Sequence, residues 1–372
     1  MVAHINYQQV DSTKAFLEES NSDRAAPRLC RNLGEALGLV PILKLGRVHD
    51  LCHKHDLFFK LESCNPGGSI KEKNASYLVE QAELAGLLKK GGTIIESSSG
   101  NFGIGLAMVG AAKGYQVKIV VDGKTSPTMR RILNALGAEL VEVPLTEADE
   151  NGSMQVARMK VAATLAEKTP GAWYPCQHKN PRNPDAHALY TAKEIIAAFG
   201  SCPDAIVIGV STAGQLSGIS RFFRKHYPSV EIVVVDVAGS GILGTPRHPY
   251  KMTGLGLSFI PPNFKEELCD VAYSVDDQLA FSFCRQIAKK EGLLLGASTG
   301  AILAGGLAYA REQKQKKSIL MINPDRGDRY LETIYDDQWI ADQGIDLLMG
   351  EGLDQRMQNL KPVPLTKQRA SS

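Results

Sequence analysis

The sequence lacks the features that mark membrane, nucleic-acid-binding and metal-binding proteins. Its apolar runs fall well short of the roughly 20 residues that cross a bilayer, and a formal net charge of +2 provides no basic surface for nucleic acid or anionic lipid. The seven cysteines form no CxxC pair, and the eight histidines form no HExxH motif. We therefore expect no metal, no nucleic acid and no membrane partner. The scattered cysteines favour a reducing, cytoplasmic compartment.

Two further patterns are missing. Residues 1–11 are polar and contain no apolar segment, so we expect no signal peptide. No period of 20–50 residues recurs along the chain, which argues against a solenoid. What remains is the composition of an ordinary globular protein, with 44% hydrophobic and 22% charged residues.

Apolar strands alternate with amphipathic helices along most of the chain. Short apolar segments such as 93–96, 116–121, 205–208, 232–235 and 318–322 are each followed by a small or polar turn and most by a helical pattern. This alternation predicts an α/β protein with parallel sheets covered by helices on both faces. A length of 372 residues suits two such doubly wound domains.

The most informative stretch is residues 65–73, Asn-Pro-Gly-Gly-Ser-Ile-Lys-Glu-Lys. Asn-Pro-Gly-Gly predicts a turn, and Ser69 predicts the cap of a following helix, so Lys71 lies in the first helical turn. The positive end of the helix dipole disfavours a cation there and favours a neutral, nucleophilic amine. Such a lysine can form a Schiff base with an aldehyde. The simpler interpretation is a solvated lysine followed by another.

Four small, polar turns are suited to hold anions near helix N-termini. They are residues 97–103, 209–215, 296–301 and 323–330. The turn at 209–215 favours a phosphate but matches neither GxGxxG nor GxxxxGK[ST], and the turn at 97–103 favours a carboxylate. Ordinary helix capping explains each serine separately. Together with Lys71 they predict a site for a phosphorylated aldehyde, of which pyridoxal 5'-phosphate (PLP) is the common one.

These motifs occur in the order found in a known family. The chain resembles the cysteine synthase group of PLP enzymes, also called fold type II, over roughly residues 30–340. The matching stretches are residues 65–73, 98–103, 177–183, 209–218, 254–256, 296–301 and 324–331. Several independent motifs in one order make the resemblance specific. It implies two doubly wound domains of the tryptophan synthase β type and a homodimer.

The resemblance also implies roles for individual residues. Lys71 would carry the Schiff base, and Asn101 would hydrogen-bond the ring hydroxyl of the cofactor. The phosphate would be held by Ser211, Thr212, Ala213, Gly214 and Gln215. The substrate would contact Ser98, Ser99, Gly100, Gln177 and His178, with Ser98, Ser99 and Gln177 on its carboxylate. Apart from the resemblance, a leaving phosphate needs cationic or N–H donors, and Arg130, Arg131 and Arg158 are candidates, although a surface charge is the simpler interpretation of each. Arg158 could also reach the acceptor.

The sequence departs from the family pattern at three places. The phosphate loop carries Ser211, Ala213 and Gln215 where glycine is more usual. His178 stands where an aromatic often follows the glutamine. Arg326 occupies the position of a serine that usually faces the pyridine nitrogen. Arginine cannot accept a proton, so if it faces the ring the nitrogen stays unprotonated and the ring is a poorer electron sink. Otherwise Arg326 points outward and another group meets the nitrogen.

Several motifs are similar to one branch of the family, whose members make precursors of 2,3-diaminopropionate for siderophores and peptide antibiotics. That resemblance implies joining O-phospho-L-serine to L-glutamate, with N-(2-amino-2-carboxyethyl)-L-glutamate and phosphate as products. The first alternative is a cysteine synthase that uses sulfide and O-acetylserine or O-phosphoserine. Others are a serine or threonine lyase or racemase of the same fold, a non-catalytic binding module, and a dinucleotide-dependent dehydrogenase.

The predicted domains follow the same resemblance. Residues 27–65 and 182–345 form a larger domain that binds the cofactor phosphate. Residues 66–181 form a smaller, mobile domain that carries Lys71. Residues 1–26 are an N-terminal extension. Residues 346–372 form a charged tail that we expect to be loose or to dock on a partner subunit.

Overall fold

Ten β-strands form two sheets in the computed structural model, which describes residues 29–38 and 40–365. The strands are β1 Ile42–Lys44, β2 Asp56–Leu61, β3 Thr93–Ser97, β4 Gln116–Asp122, β5 Glu139–Val143, β6 Ala172–Trp173, β7 Ala205–Gly209, β8 Glu231–Val237, β9 Val271–Val275 and β10 Ser318–Asn323. One sheet has the order β1-β2-β10-β7-β8-β9, and the other has the order β5-β4-β3-β6. Only the β1–β2 pair among them is antiparallel.

Thirteen α-helices connect and cover these strands in the described ranges. They are α1 Leu33–Ala36, α2 Leu51–Lys54, α3 Lys71–Leu84, α4 Asn101–Lys113, α5 Pro127–Ala135, α6 Gln155–Lys168, α7 Asn183–Ala186, α8 Ala192–Phe199, α9 Gly214–His226, α10 Asp277–Glu291, α11 Ala297–Glu312, α12 Asp337–Asp342 and α13 Gly350–Gln358. A π-helical segment, His187–Thr191, joins α7 to α8. Helices α4, α5, α9 and α10 each begin within five residues of the end of a strand, as the alternating pattern predicts.

The six-stranded sheet is buried on both faces. Successive residues of β7 point to opposite sides, so Ile206 packs with α8 and α9 while Val207 packs with α10 and α11. Every residue from Ala205 to Ile208 is fully buried, which explains why this strand is apolar throughout rather than alternating. The predicted α/β architecture with parallel, doubly covered sheets is confirmed.

The four-stranded sheet has its own core. Ile94 and Ile119 pack with α3, α4 and α5 on one face, whereas Ile95 and Val120 pack with α6 on the other. All four of its strands lie within residues 66–181, and the six strands of the larger sheet lie within 42–61 and 205–323. The exact domain boundaries remain a prediction.

The C-terminal segment differs from the expected loose tail. Helix α13 buries Leu353 and Met357 against the core formed with α10 and α11, and the backbone N–H of Val363 donates to the Ala272 carbonyl at 2.8 Å. The apolar residues at 353, 357 and 360 form a helical stripe that the surrounding charges and prolines obscure. The tail therefore packs on its own chain through residue 365. The predicted extension at residues 1–26 lies outside the described residues.

No helix in the described ranges is both long and apolar enough to cross a membrane.

Candidate active site

The turn at residues 65–70 places Lys71 at the first position of helix α3. The carboxylate of Glu72 accepts hydrogen bonds from the backbone N–H groups of Gly67 and Ser69, at 2.7 and 2.8 Å. The residue that directly precedes the helix is Ile70 rather than the predicted cap Ser69, but the Ser69 hydroxyl oxygen still accepts from the N–H of Lys71 at 3.3 Å. Gly68 adopts a φ of +84°, a conformation that favours glycine. The local sequence thus determines where the lysine stands.

Lys71 is an unpaired amine. Within the described part of the chain its Nζ has no hydrogen-bond or ion-pair partner, and burial lowers its pKa to about 8. Lys73, two residues on, pairs with Glu62 at 2.9 Å and with Glu194 at 2.6 Å. Burial opposes the charge of Lys73, but these two carboxylates outweigh it and raise the pKa. Lys73 is held as a cation by two carboxylates, whereas the Lys71 amine can lose its proton and act as a nucleophile. Although Lys71 is only half-buried, its lowered pKa favours the reactive amine over the solvated lysine, and its role remains a prediction.

Lys71 and the predicted phosphate loop line the same cavity. Its wall is formed by Lys71 and Ile70 of the turn and helix α3, by the loop at residues 211–215, and by Gly254 and Pro324. The sequence separates Lys71 from the loop by 140 residues, so only the fold brings them together. A backbone hydrogen bond from the N–H of Ile70 to the Pro324 carbonyl, at 2.8 Å, ties the turn to the end of β10.

The loop at residues 211–215 exposes a row of unused donors. Its backbone N–H groups have no acceptor among the residues that the structure describes. Ala213 has a φ of +61° and directly precedes helix α9, so the loop turns sharply at the positive end of the helix dipole. Unpaired N–H groups at the start of a 13-residue helix are suited to a phosphate. With the nearby amine they fit a phosphorylated aldehyde such as PLP.

Ser98 accepts a hydrogen bond from the first turn of helix α4, as the ordinary helix-capping interpretation predicts. Its hydroxyl oxygen accepts a hydrogen bond from the N–H of Gly103 at 2.9 Å and contacts the backbone of Gly100. Ser99 is half-buried in the same turn, at the start of helix α4. The predicted contacts of Ser98, Ser99 and Gly100 with the substrate carboxylate remain predictions.

Asn101 already has two partners. Its Nδ2 donates to Asp325 Oδ2 at 2.7 Å, and its Oδ1 accepts from the Arg329 guanidinium. Asn101 therefore joins the start of α4 to the segment that follows β10. Its proposed bond to the ring hydroxyl of the cofactor remains a prediction, and forming it requires this amide to share or exchange a partner.

Asp325 contacts the predicted cofactor residue Asn101, and the sequence reasoning did not single it out. It is 1% exposed, and its Oδ1 has no hydrogen-bond partner in the described ranges. Burial raises the pKa of its carboxyl group. A Cβ at Gly296 would lie 1.8 Å from Asp325 Oδ1, so this glycine is needed for the carboxyl group to fit. The sequence offered one indication of Asp325, because it stands between Pro324 and Arg326 in the polar turn at residues 323–330.

Arg326 packs against the turn that precedes Lys71, because a Cβ at Gly68 would lie 2.2 Å from its Nε. Its Nη2 donates to the Ser63 carbonyl at 3.4 Å, its Nη1 lies 3.7 Å from Asp328, and its side chain is 41% exposed. It is not among the residues that line the cavity beside Lys71. Whether Arg326 faces the cofactor ring remains a prediction, and these contacts favour the alternative in which it points outward.

The segment at residues 176–178 joins the two sheets. The N–H of Gln177 donates to Glu96 Oε2 at 3.1 Å, and burial raises the pKa of Glu96 to about 8. His178 is buried, with no partner for its Nδ1 among the described residues, and stands 6.2 Å from the ring of Phe259. Burial, followed by the charge of Lys71, lowers the pKa of His178 to about 3, so its ring is neutral.

Arg158 has a structural partner. It forms an ion pair with the buried Asp122 inside the smaller sheet's core, and it does not line the cavity beside Lys71. After burial and the charge of Lys71, the charge of Arg158 also helps to lower the pKa of His178. A role in substrate binding remains a prediction.

Comparisons with known proteins agree with this geometry. A family described as "Pyridoxal-phosphate dependent enzyme" matches residues 34–325. The chain is 39% identical over 304 residues to a cysteine synthase of Staphylococcus aureus, covering 81% of this chain and 96% of the relative. It is 36% identical over 313 residues to the N-(2-amino-2-carboxyethyl)-L-glutamate synthase of Ralstonia nicotianae, and the match covers 84% of this chain and 92% of that relative. The solved structure of O-ureido-L-serine synthase superimposes with a TM-score of 0.76 at 34% identity, covering 84% of this chain and 100% of that one.

Proposed function

The chain belongs to the pyridoxal-phosphate-dependent enzyme family as a β-replacement enzyme of the cysteine synthase group, and we propose that it joins O-phospho-L-serine to L-glutamate. In this reaction the Cβ–O bond of the phosphoserine breaks and phosphate leaves. The glutamate nitrogen forms a bond to the same Cβ and loses a proton. The products are N-(2-amino-2-carboxyethyl)-L-glutamate and phosphate.

The observation that carries the cofactor chemistry of the proposal is that, among the described residues, neither the Lys71 amine nor the neighbouring N–H groups of residues 211–215 have a partner. In this proposal Lys71 binds the cofactor aldehyde and the loop holds its phosphate. PLP, when bound, withdraws electrons from Cα of the amino acid and so permits loss of the β substituent. An amine with a pKa of about 8 is suited to take the Cα proton near neutral pH. Lys73 cannot replace it while its two carboxylates hold its charge.

The choice of glutamate is supported by the relative from Ralstonia nicotianae, whose name states that product. It is also supported by the motifs of residues 211–214 and 324–330, which are similar to that branch of the family. The proposal also includes that the enzyme is a cytoplasmic homodimer. Its product would supply 2,3-diaminopropionate for the synthesis of a siderophore or an antibiotic.

The second candidate is a cysteine synthase, which the relative from Staphylococcus aureus favours. A dehydrogenase has less support. Residues 239–244 have the spacing GxGxxG after strand β8, but no helix begins there, and a dinucleotide fingerprint needs one.

Separate incubations test the choice of substrates. The holoenzyme is mixed with O-phosphoserine or O-acetylserine and with glutamate or sulfide, and each product is identified by mass. We expect the diaminopropionate adduct of glutamate from O-phosphoserine, and no product from the Lys71→Ala variant. Cysteine as the sole product would establish the second candidate instead.

A further inference from the structure

Asn183 joins three segments that the sequence analysis treated separately. It begins helix α7 and is 1% exposed. Its Nδ2 donates to the Gln177 carbonyl at 2.7 Å and to Thr212 Oγ1 at 3.2 Å. Its Oδ1 accepts a hydrogen bond from the amide of Asn74, which lies in the first turn of the helix that carries Lys71. One side chain thus contacts the Lys71 helix, the Gln177 segment and the phosphate loop.

These partners fix which way the Asn183 amide faces. A backbone carbonyl can only accept, so the atom facing the Gln177 oxygen must be the amide nitrogen. The second hydrogen of that nitrogen then points to Thr212, and the amide oxygen faces Asn74. Both donors and one acceptor of Asn183 are used. Gly214 makes room for this arrangement, because a Cβ there would lie 2.2 Å from Asn183 Oδ1.

The direction of the amide also determines what Thr212 can offer. Because its Oγ1 accepts from Asn183, its own hydrogen is directed elsewhere, and the structure shows no protein acceptor for it in the described ranges. Thr212 lines the cavity beside the unpaired N–H groups of the loop. Ser211 differs, because its hydroxyl donates to the Gly256 carbonyl at 3.3 Å. Thr212 is therefore the loop hydroxyl left with a free hydrogen.

We propose that Asn183 is a positioning residue that turns the Thr212 hydroxyl into a hydrogen-bond donor for the cofactor phosphate. This inference rests on the proposed assignment of the loop at residues 211–215 as the phosphate site. A carboxylate at position 183 would have nearly the same shape but would only accept. The Thr212 hydrogen would then turn toward residue 183, and a lone pair would face the phosphate.

Binding to the apoenzyme tests the proposal without relying on activity. PLP and pyridoxal, which lacks the phosphate, are titrated separately into the wild type and into Asn183→Asp, Thr212→Val and the double variant. We expect Asn183→Asp to weaken PLP binding by about tenfold or more, since hydrogen bonds to charged groups are the strong ones. We expect its pyridoxal affinity to stay within about threefold of wild type, which also shows that the variant folds.

The double variant separates hydroxyl direction from simple charge repulsion. A carboxylate at position 183 repels the phosphate whether or not residue 212 has a hydroxyl, whereas hydroxyl reversal requires Thr212. The proposal therefore predicts that Asn183→Asp costs much less PLP affinity in the Thr212→Val background than in the wild type. An equal cost in both backgrounds overturns it, and so does an equal loss of PLP and pyridoxal binding.

Failure of the loop assignment gives a different result. If residues 211–215 do not hold the phosphate, PLP does not slow hydrogen exchange at their backbone N–H groups in the wild type, and the phosphate-site assignment falls together with the inference. If PLP protects these N–H groups but Thr212→Val leaves the ratio of PLP to pyridoxal affinity unchanged, the inference alone is rejected. The inference alone is also rejected if Thr212→Val lowers the ratio of PLP to pyridoxal affinity but Asn183→Asp leaves that ratio unchanged. The choice between glutamate and sulfide affects none of these measurements.

Discussion

At the scale of single residues, the contrast between Lys71 and Lys73 can be tested by chemical trapping. We expect borohydride reduction of the holoenzyme to attach the cofactor to Lys71, because its amine has no partner in the described ranges while Lys73 is held by Glu62 and Glu194. Peptide mapping by mass spectrometry locates the modified lysine. Lys71→Ala should abolish both trapping and turnover with an unchanged circular dichroism spectrum. A modified Lys73 in the wild type would contradict the assignment.

The lowered pKa of Lys71 predicts a pH dependence. Only the neutral amine attacks an aldehyde, and burial lowers the pKa of this amine to about 8. The rate at which the apoenzyme takes up PLP should rise with pH and level off above about 8. Stopped-flow absorbance at a series of pH values measures it. A rate still rising steeply between pH 9 and about 10.5, the ordinary range of lysine, would show that the site does not perturb the amine.

Arg158 is better tested for stability first. Arg158→Ala should destabilise the fold by about 3–5 kcal/mol, because it leaves the buried Asp122 without its cation. Urea unfolding measures the loss, and the Arg158→Ala/Asp122→Ala pair should recover much of it. If the pair regains stability but glutamate kinetics stay impaired, Arg158 contacts the substrate. Restored glutamate kinetics would assign it to the scaffold.

Residue contacts show where sequence reasoning reached its limit. The place of Lys71 follows from local turn and capping chemistry, so the sequence could predict it. The partners of Asn101 lie 224 and 228 residues away, and no local pattern indicates them. Asp325 and Asn183 lie in motifs that the sequence shows, but no pattern assigns them a role, because their contacts form only after both sheets have folded.

At the scale of elements, periodicity predicted the alternating strands and helices because buried parallel strands leave a strong apolar signal. The C-terminal helix is hard to predict because charges and prolines surround its apolar positions at 353, 357 and 360. Its packing makes a prediction. Leu353→Ala should cost about 2–5 kcal/mol of unfolding free energy, because the side chain is fully buried.

The neighbouring Gln355 provides the matched control for Leu353. It is exposed on the same helix, so Gln355→Ala should change stability by no more than about 0.5 kcal/mol. Equal, small effects of both substitutions in urea unfolding would mean that helix α13 does not pack on the core in solution.

At the scale of the whole molecule, we predict that the site is divided between the two sheets. The turn at residues 97–103 follows strand β3 of the smaller sheet, and the loop at 211–215 follows β7 of the larger one. A substrate held by both should draw them together, so we predict that the part carrying residues 66–181 closes on the rest. Crystal structures with and without substrate measure the movement. Superimposable structures would contradict closure.

The central claim is that the nitrogen of glutamate, rather than sulfide, replaces the phosphate of O-phospho-L-serine. One competition measures this directly. The holoenzyme is given O-phospho-L-serine with equal concentrations of ¹⁵N-labelled glutamate and sulfide, and the products are resolved by mass. The account predicts a main product that contains the labelled nitrogen bonded to the former serine Cβ. Cysteine with no labelled adduct would contradict it.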